Sequence, residues 1–326
     1  MIITRSPLRI TFGGGGTDLP SYYRRFGGFL ISGAINKYVY INVMRPFKPG
    51  IFLKYSRLEN VMSPDEIQHP IIREAIKAMN FPEHQIEITT LADIPAGTGL
   101  GSSGSFGTAL IRALYSFDRR HIFPRELAEQ ACEIEIVKLG EPVGKQDQYI
   151  AALGGLTCLT FNPDDTVDVA PLRLSAESLI DLEENLLLFF TGFSRNAGQI
   201  LKDQDTRTGH DDETMLKNLH EVKEMGQRAK VLLESGKLND FGLLMSEQWE
   251  QKKRRSGGMS NPSIDEWYHQ GLKNGALGGK LVGAGGGGFL LFYAEDHIRL
   301  RRSMVKAGLT EVRFDFDFEG AKVLFG

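Results

Sequence analysis

Two cysteines in 326 residues, Cys132 and Cys158, are too few for a disulfide framework or a cysteine-rich metal site. They point to a reducing compartment. The seven histidines are scattered, with no pair at metal-ligand spacing. Long apolar runs are missing too: LLLFF and FLLFY fall far short of the roughly 20 residues that span a bilayer. The amino terminus, MIITRSPLRI, lacks the apolar core and small-residue cleavage pattern of a signal peptide. Neither charge sign dominates, since 38 basic residues stand against 41 acidic ones. That balance argues against broad polyanion binding as the main role and leaves room for a local basic pocket. These absences lead us to expect a cytoplasmic protein with no membrane and no nucleic acid among its partners.

What is present is an ordinary globular composition, 41% hydrophobic and 24% charged. The length exceeds one ordinary core and suits two domains. The opening reads as a strand into a glycine turn, from Arg9 to Gly16, followed by strands through GGFLISGAINKYVYINVM. QIEITTL, GGLTCLTF and NLLLFFTGF read as further strands. PRELAEQACEIEIVKLG reads as one helix from Pro124 to a stop at Gly140. From about 195 to 255 the texture is charged and helical, and KLVGAGGGGFLLFY closes with strand, glycine loop and strand. The expected division is 1–185 and 186–326.

PAGTGLGSSGSFGTAL, residues 95–110, carries Gly97, Gly99, Gly101 and Gly104 within eight positions, just ahead of a helical apolar stripe. A helix amino terminus presents unpaired N–H groups and partial positive charge, which suits an anion. Glycines let backbone approach phosphate oxygens, and Ser102 and Ser103 add hydroxyls. A tight turn needing positive φ would account for one or two of the glycines. Other nucleotide motifs fit less well. The Gly-Lys-Ser/Thr ending of a Walker A loop does not occur. Gly99, Gly101 and Gly104 match the bare Rossmann spacing, but the acidic residue some 20 positions on is missing. Protein-kinase signatures are absent.

PAGTGLGSSGS resembles the second motif of the galactokinase, homoserine kinase, mevalonate kinase and phosphomevalonate kinase (GHMP) superfamily. SPLRITFGGGGTDLP (Ser6 to Pro20) is similar to its first motif, and LVGAGGGGF (Leu281 to Phe289) to its third. The resemblance implies an α+β, two-domain fold: a ribosomal-protein-like α/β amino-terminal domain and a ferredoxin-like carboxy-terminal one. It also implies phosphoryl transfer from ATP with Mg2+ to a small molecule. Pro95, Gly97, Gly99, Leu100, Gly101, Ser102, Ser103 and Gly104 would hold the nucleotide, and Gly285 and Gly286 would approach the substrate.

Phosphoryl transfer requires positioning, charge neutralisation and an oriented hydroxyl. Glu135 falls on the stripe of Ala128, Ala131 and Leu139, whereas Glu133 shares the polar side with Glu126 and Gln130. An inward carboxylate requires a partner. A salt bridge to Lys138 would serve; the resemblance implies a metal held by Glu135 and Ser103. Asp147, in GKQDQY, is by position a helix-capping residue. The resemblance makes it the group that accepts the proton of the substrate hydroxyl, with Arg9 as its basic partner. Thr17 and Asp18 fall where galactokinase-like relatives bind sugar hydroxyls, although an Asp is also a common occupant of a glycine turn. Galactokinases have Glu-His ahead of that Thr-Asp pair, where this chain has Gly13 to Gly16, which suggests a different or larger sugar.

In detail the motifs resemble those of bacterial heptose 7-phosphate kinases, which phosphorylate an anomeric hydroxyl. The implied partners are ATP and a sugar phosphate; oligomeric state stays open. Such a substrate requires a basic clamp, for which Arg24, Arg25, Lys37, Lys145, Arg195 and Lys202 are candidates, Arg195 foremost, and each is by default a surface charge. The run Lys252 to Arg255 reads as a basic helix end or as a clamp. An L-fucokinase-like anomeric kinase would need no clamp. A non-catalytic ATP- or sugar-binding regulator would be expected to lack the base or the metal ligand.

Overall fold

One long hairpin organises the first sheet of this computed structural model, which describes residues 1–80, 85–193 and 197–326. β1 (Ile2–Gly13) pairs antiparallel with β2 (Gly28–Met44), a single continuous strand of 17 residues. The first half of β2 pairs with β6 (Leu156–Phe161) and its second half with β5 (Gln85–Ala92). β3 (Gly50–Lys54) lies parallel to β5 and carries β4 (Leu58–Val61), while β7 (Val167–Pro171) borders β6. The last strand of this sheet, β12 (Lys322–Phe325), arrives from the far end of the chain to pair with β1.

α1 (Pro20–Phe26) follows the first glycine turn, and α2 (Pro70–Met79), α3 (Ser102–Phe117), α4 (Pro124–Cys132) and α5 (Gln146–Leu153) follow in the same half. α3 presses small residues, among them Ala109 and Ala113, into the sheet. Hydroxyls buried by that contact find partners. Ser105 Oγ donates to the Pro7 carbonyl at 2.6 Å, Thr4 Oγ1 to that of Ala109 at 2.8 Å, and the Ser6 and Thr108 hydroxyls meet at 2.7 Å. These bonds pin the α3 amino terminus above β1. The helix expected to run from Pro124 to Gly140 instead changes hand-over at Cys132 into a π-helical turn, Glu133–Lys138, where Leu139 N–H donates to the Ile134 carbonyl.

α6 (Ala176–Asn185) leads into the second sheet, which contains β8 (Leu186–Phe190), β9 (Ala276–Leu281), β10 (Phe289–Ala294) and β11 (Thr310–Glu311). Its antiparallel order, β11-β8-β10-β9, is the ferredoxin-like one expected. α7 (Ala197–Gly209), α8 (Glu213–Glu234), α9 (Leu238–Arg255) and α10 (Pro262–Lys273) connect β8 to β9, and α11 (His297–Lys306) connects β10 to β11. The unbroken apolar run of β8 has a cause. Leu186 and Leu188 enter a core shared with the first sheet, while Leu187 and Phe189 enter a second core with Trp249, Phe292 and Met304. Burying each such side chain contributes about 1.5–3 kcal/mol. A cut after residue 185 separates the two sheets except for β12, which belongs with the first.

Candidate active site

A cleft of about 1080 Å3 opens between the two halves of the chain, and all three glycine loops reach it. The first contributes Gly14, Gly15 and Gly16, the second Gly97, Gly99 and Gly101, and the third Gly283. At the second loop, α3 begins at Gly101 with no side chain capping its first N–H groups. Those donors stay available to an anion in the cleft.

The floor of the cleft holds an arginine-carboxylate pair. Arg9 Nε donates to Asp147 Oδ1 at 2.7 Å and Nη2 to Oδ2 at 3.1 Å, while Nη1 donates to the Gly99 carbonyl at 2.6 Å. A fork of this kind fixes the plane of the carboxylate as well as its position. Asp147 sits in the first turn of α5, directly beneath the α3 amino terminus. A Cβ on Gly104 would lie 2.7 Å from Asp147 Cβ, so bare backbone at that position lets the two helices meet. Part of the glycine density in the second loop therefore serves packing as well as an open backbone.

Asp18 is 3% exposed and faces the same space. Oδ1 accepts from the Gly16 N–H and Oδ2 from the Gln146 N–H, both at 3.2 Å, so the carboxylate links its own glycine turn to the start of α5. Burial, reinforced by the charge of Asp147, raises its pKa above the usual carboxylate value. Gly144 makes this seat possible, because a Cβ there would fall 1.9 Å from Asp18 Oδ2. Nothing in the local pattern of GKQDQY signals that role.

Glu135 is 3% exposed, as its place on the apolar stripe implies, while Glu133 is exposed. Burial pushes the Glu135 carboxyl up to about 7, against hydrogen bonds from Gln148 and Ser103. Gln148 Nε2 donates to its Oε2, in place of the Lys138 ammonium. Ser103 and Glu135 both line the cleft and offer a hydroxyl and a carboxylate, the hard oxygen donors that Mg2+ takes alongside phosphate oxygens. Among the described residues no group of three or more His, Cys, Asp or Glu is arranged to hold a metal unaided.

The outer end of the cleft is apolar. Tyr55, His69, Ile71, Leu91 and Phe106 line it. The His69 ring stacks on Phe106 with centroids 4.8 Å apart, and Tyr55 meets His69 edge-on at 4.9 Å. A flat heterocycle fits such a wall. The inner end is basic, with Lys252, Arg255 and Lys280 among polar Gln204 and Gln248.

Several expected residues lie elsewhere. Thr17 is fully buried, its hydroxyl donating to the Gly14 and Phe29 carbonyls at 2.9 and 3.0 Å and accepting from Phe29 N–H, so it braces the turn and does not face the cleft. Pro95, Leu100 and Gly104 are not part of the wall: Leu100 is in the core, with its carbonyl accepting from Arg9 N–H. Gly285 and Gly286 also miss it, being packed against Met259. Of the clamp candidates, Arg24 pairs with Asp165, Arg25 with Asp211, and Lys145 donates to the Asp165 carbonyl. None of these three, nor Lys37 or Lys202, lines the cleft. Arg195 lies outside the described residues. Lys280 and Gln248 escaped sequence reasoning, because a lysine in a strand and a glutamine in a charged helix carry no motif.

The cleft and the comparisons together define the class, an ATP-dependent phosphotransferase. Residues 70–155 match the GHMP kinases N terminal domain, and residues 229–308 match the GHMP kinases C terminal domain. The chain belongs to the GHMP kinase family. It is 28% identical, over 98% of its length and 97% of the relative's, to the D-glycero-alpha-D-manno-heptose 7-phosphate kinase of Campylobacter jejuni. It is also 28% identical to the L-fucokinase/L-fucose-1-P guanylyltransferase of Bacteroides fragilis, covering 93% of this chain and 36% of that one. The crystal structure of a D-glycero-D-manno-heptose 1-phosphate kinase from Bacteroides thetaiotaomicron superposes with a TM-score of 0.81 at 25% identity, covering 100% of this chain and 99% of that one. No helix among the described residues is long and apolar enough to cross a membrane.

Proposed function

We propose that this kinase transfers the γ-phosphoryl group of ATP to the anomeric hydroxyl of D-glycero-α-D-manno-heptose 7-phosphate, giving the 1,7-bisphosphate, for nucleotide-activated heptose synthesis in the cytoplasm. The observation that carries the reading is the pairing, within one cleft, of the Arg9-held Asp147 with the buried Asp18. Two carboxylates at one helix start can serve different parts of one sugar: Asp18 accepts from ring hydroxyls, and Asp147 from the hydroxyl that reacts. The full-length likeness to the Campylobacter jejuni kinase supports the choice of a phosphorylated heptose.

In this reading the adenine lies against His69 and Phe106, and the triphosphate runs to the open amino terminus of α3. The bond from the anomeric oxygen to Pγ forms as the Pγ–O bond to ADP breaks, and the hydroxyl proton passes to Asp147. Arg9 keeps the Asp147 carboxylate in plane for that proton. Ser103 and Glu135 would hold Mg2+, which when bound would offset the charge of the phosphates. The buried carboxylate of Glu135, with no basic partner among its hydrogen bonds, fits a cation.

The likeness to the fucokinase relative favours a second reading, an anomeric kinase for a neutral sugar. ADP release measured across heptose 7-phosphate, L-fucose, galactose and mevalonate separates the two. Turnover confined to a neutral sugar overturns the first reading, and turnover with none of them overturns both.

A further inference from the structure

Three basic side chains stand at the inner end of the cleft with no acid hydrogen-bonded to them among the described residues. Arg255 and Lys280 are 6% and 7% exposed, and Lys252 keeps some exposure while lining the cleft. Their hydrogen bonds among the described residues all go to neutral oxygens. Lys280 Nζ donates to the Phe12 carbonyl and Gln248 Oε1, both at 2.7 Å. Lys252 Nζ donates to the carbonyls of Leu281, at 2.9 Å, and Gly283. Arg255 donates to Asn218 Oδ1 at 3.0 Å, the Gly15 carbonyl at 3.2 Å and Gln204 Oε1 at 3.3 Å. Buried charge without a counter-ion is costly, and three charges of one sign compound that cost. Each pKa is lowered, chiefly by burial, and that of Lys252 is lowered further by the other two and by Arg9. The nearest acid acting on Arg255 is Asp18, whose own ionisation burial disfavours.

Two details show a built site. Gln248, 8% exposed and lining the cleft, has its Nε2 buried with no hydrogen-bond partner, a spare donor beside the cations. The glycine turn is cut to fit Arg255: a Cβ on Gly16 would stand 2.5 Å from Arg255 Nη1. Within the run that departs from the Glu-His of galactokinases, it is Gly16 that leaves the volume the α9 arginine fills.

We infer that Arg255, with the amines of Lys252 and Lys280 at the same end of the cleft, is the subsite for the phosphate group that the sugar carries into the cleft. The inference rests on the reading of the substrate as a sugar phosphate and adds which residues recognise it. Arginine suits the task, since it stays charged when buried and presents a planar fork to phosphate oxygens. The placement also differs from the expectation centred on Arg195: the grip comes from the end of α9 on the first glycine turn.

The test compares kcat/KM for heptose 7-phosphate and for the same heptose without its phosphate, in the parent enzyme, Arg255→Gln and Lys252→Met. The parent should prefer the phosphorylated sugar. Arg255→Gln should shrink that preference by about 10- to 100-fold, the loss expected for charged hydrogen bonds, by lowering only the phosphorylated arm. Lys252→Met should shrink it less and supplies the same readout should Arg255→Gln fail to fold. A parent enzyme indifferent to the phosphate overturns the sugar-phosphate reading itself. A parent that discriminates, with variants that discriminate equally or lose both substrates in proportion, overturns the subsite alone.

Discussion

Arg9 reaches across from the first glycine motif to grip both oxygens of Asp147, 138 residues away, at 2.7 and 3.1 Å. The same guanidinium donates to the Gly99 carbonyl in the second glycine loop. One side chain therefore registers three separate segments at the floor of the cleft, and the consequences can be measured.

Asp147→Asn should keep nucleotide binding and lose most turnover, by about 10²- to 10⁴-fold, because the amide neither accepts the proton nor matches the Arg9 fork. Calorimetric ATP binding and ADP release report the two halves of this expectation. A variant that turns over like the parent would remove Asp147 from the proton-accepting role.

Arg9→Lys retains the charge and loses the two-pronged geometry. It should lower kcat by about tenfold or more while leaving the ATP affinity close to that of the parent. An unchanged kcat would mean that the plane of the Asp147 carboxylate is immaterial.

Gly144→Ala places a methyl group where Asp18 Oδ2 now lies. The carboxylate must move, so KM for the sugar should rise by about tenfold, the effect of one lost hydrogen bond to a charged group. ATP affinity should hold, since the atoms that the new methyl group meets all belong to Asp18. Equal sugar KM in both proteins would take Asp18 out of substrate binding.

Glu135→Gln removes the charge while leaving the shape and the Gln148 contact site. The Mg2+ concentration that half-saturates turnover should rise at least several-fold, and Ser103→Ala should do the same more weakly. A magnesium titration of ADP release that superposes on that of the parent contradicts the assignment.

Lys280 makes stability depend on pH. Burial pulls its pKa from 10.5 down to about 7. Between these values the unfolded chain holds a proton that the folded chain lacks, so stability rises with pH across that window and is depressed below it. Urea unfolding of the parent and of Lys280→Met at several pH values should show the parent gaining on the variant from pH 7 upward. A difference that does not vary with pH would contradict the burial of an ammonium there.

Much of the cleft was legible from residue order, for definite reasons. Glycine clusters ahead of a helix and the 3-and-4 spacing that turns Glu135 inward are local patterns, and local patterns survive without the fold. The structure brings Arg9, Asp18, Ser103, Glu135 and Asp147 to one wall-to-wall space. Thr17 shows the limit. Its neighbour Asp18 faces the cleft, yet Thr17 is turned into the turn's own carbonyls, and only the backbone path decides between them. The clamp candidates show it again. Arg24 and Arg25 found carboxylates on the surface, whereas Arg255, on a basic run that looks equally solvated, is buried.

By itself the amino-acid order determined the elements that side-chain pattern dictates: the alternating and apolar strands, the stripes of α3 and α4, and the three backbone-rich loops. Tertiary structure decided the rest, including the return of β12 to the first sheet and the gathering of three lysine and arginine side chains whose hydrogen bonds among the described residues go to neutral oxygens. The reason is that a short strand or a single basic residue has almost no intrinsic preference. Its place is set by partners far away along the chain, and burial exists only once those partners have met.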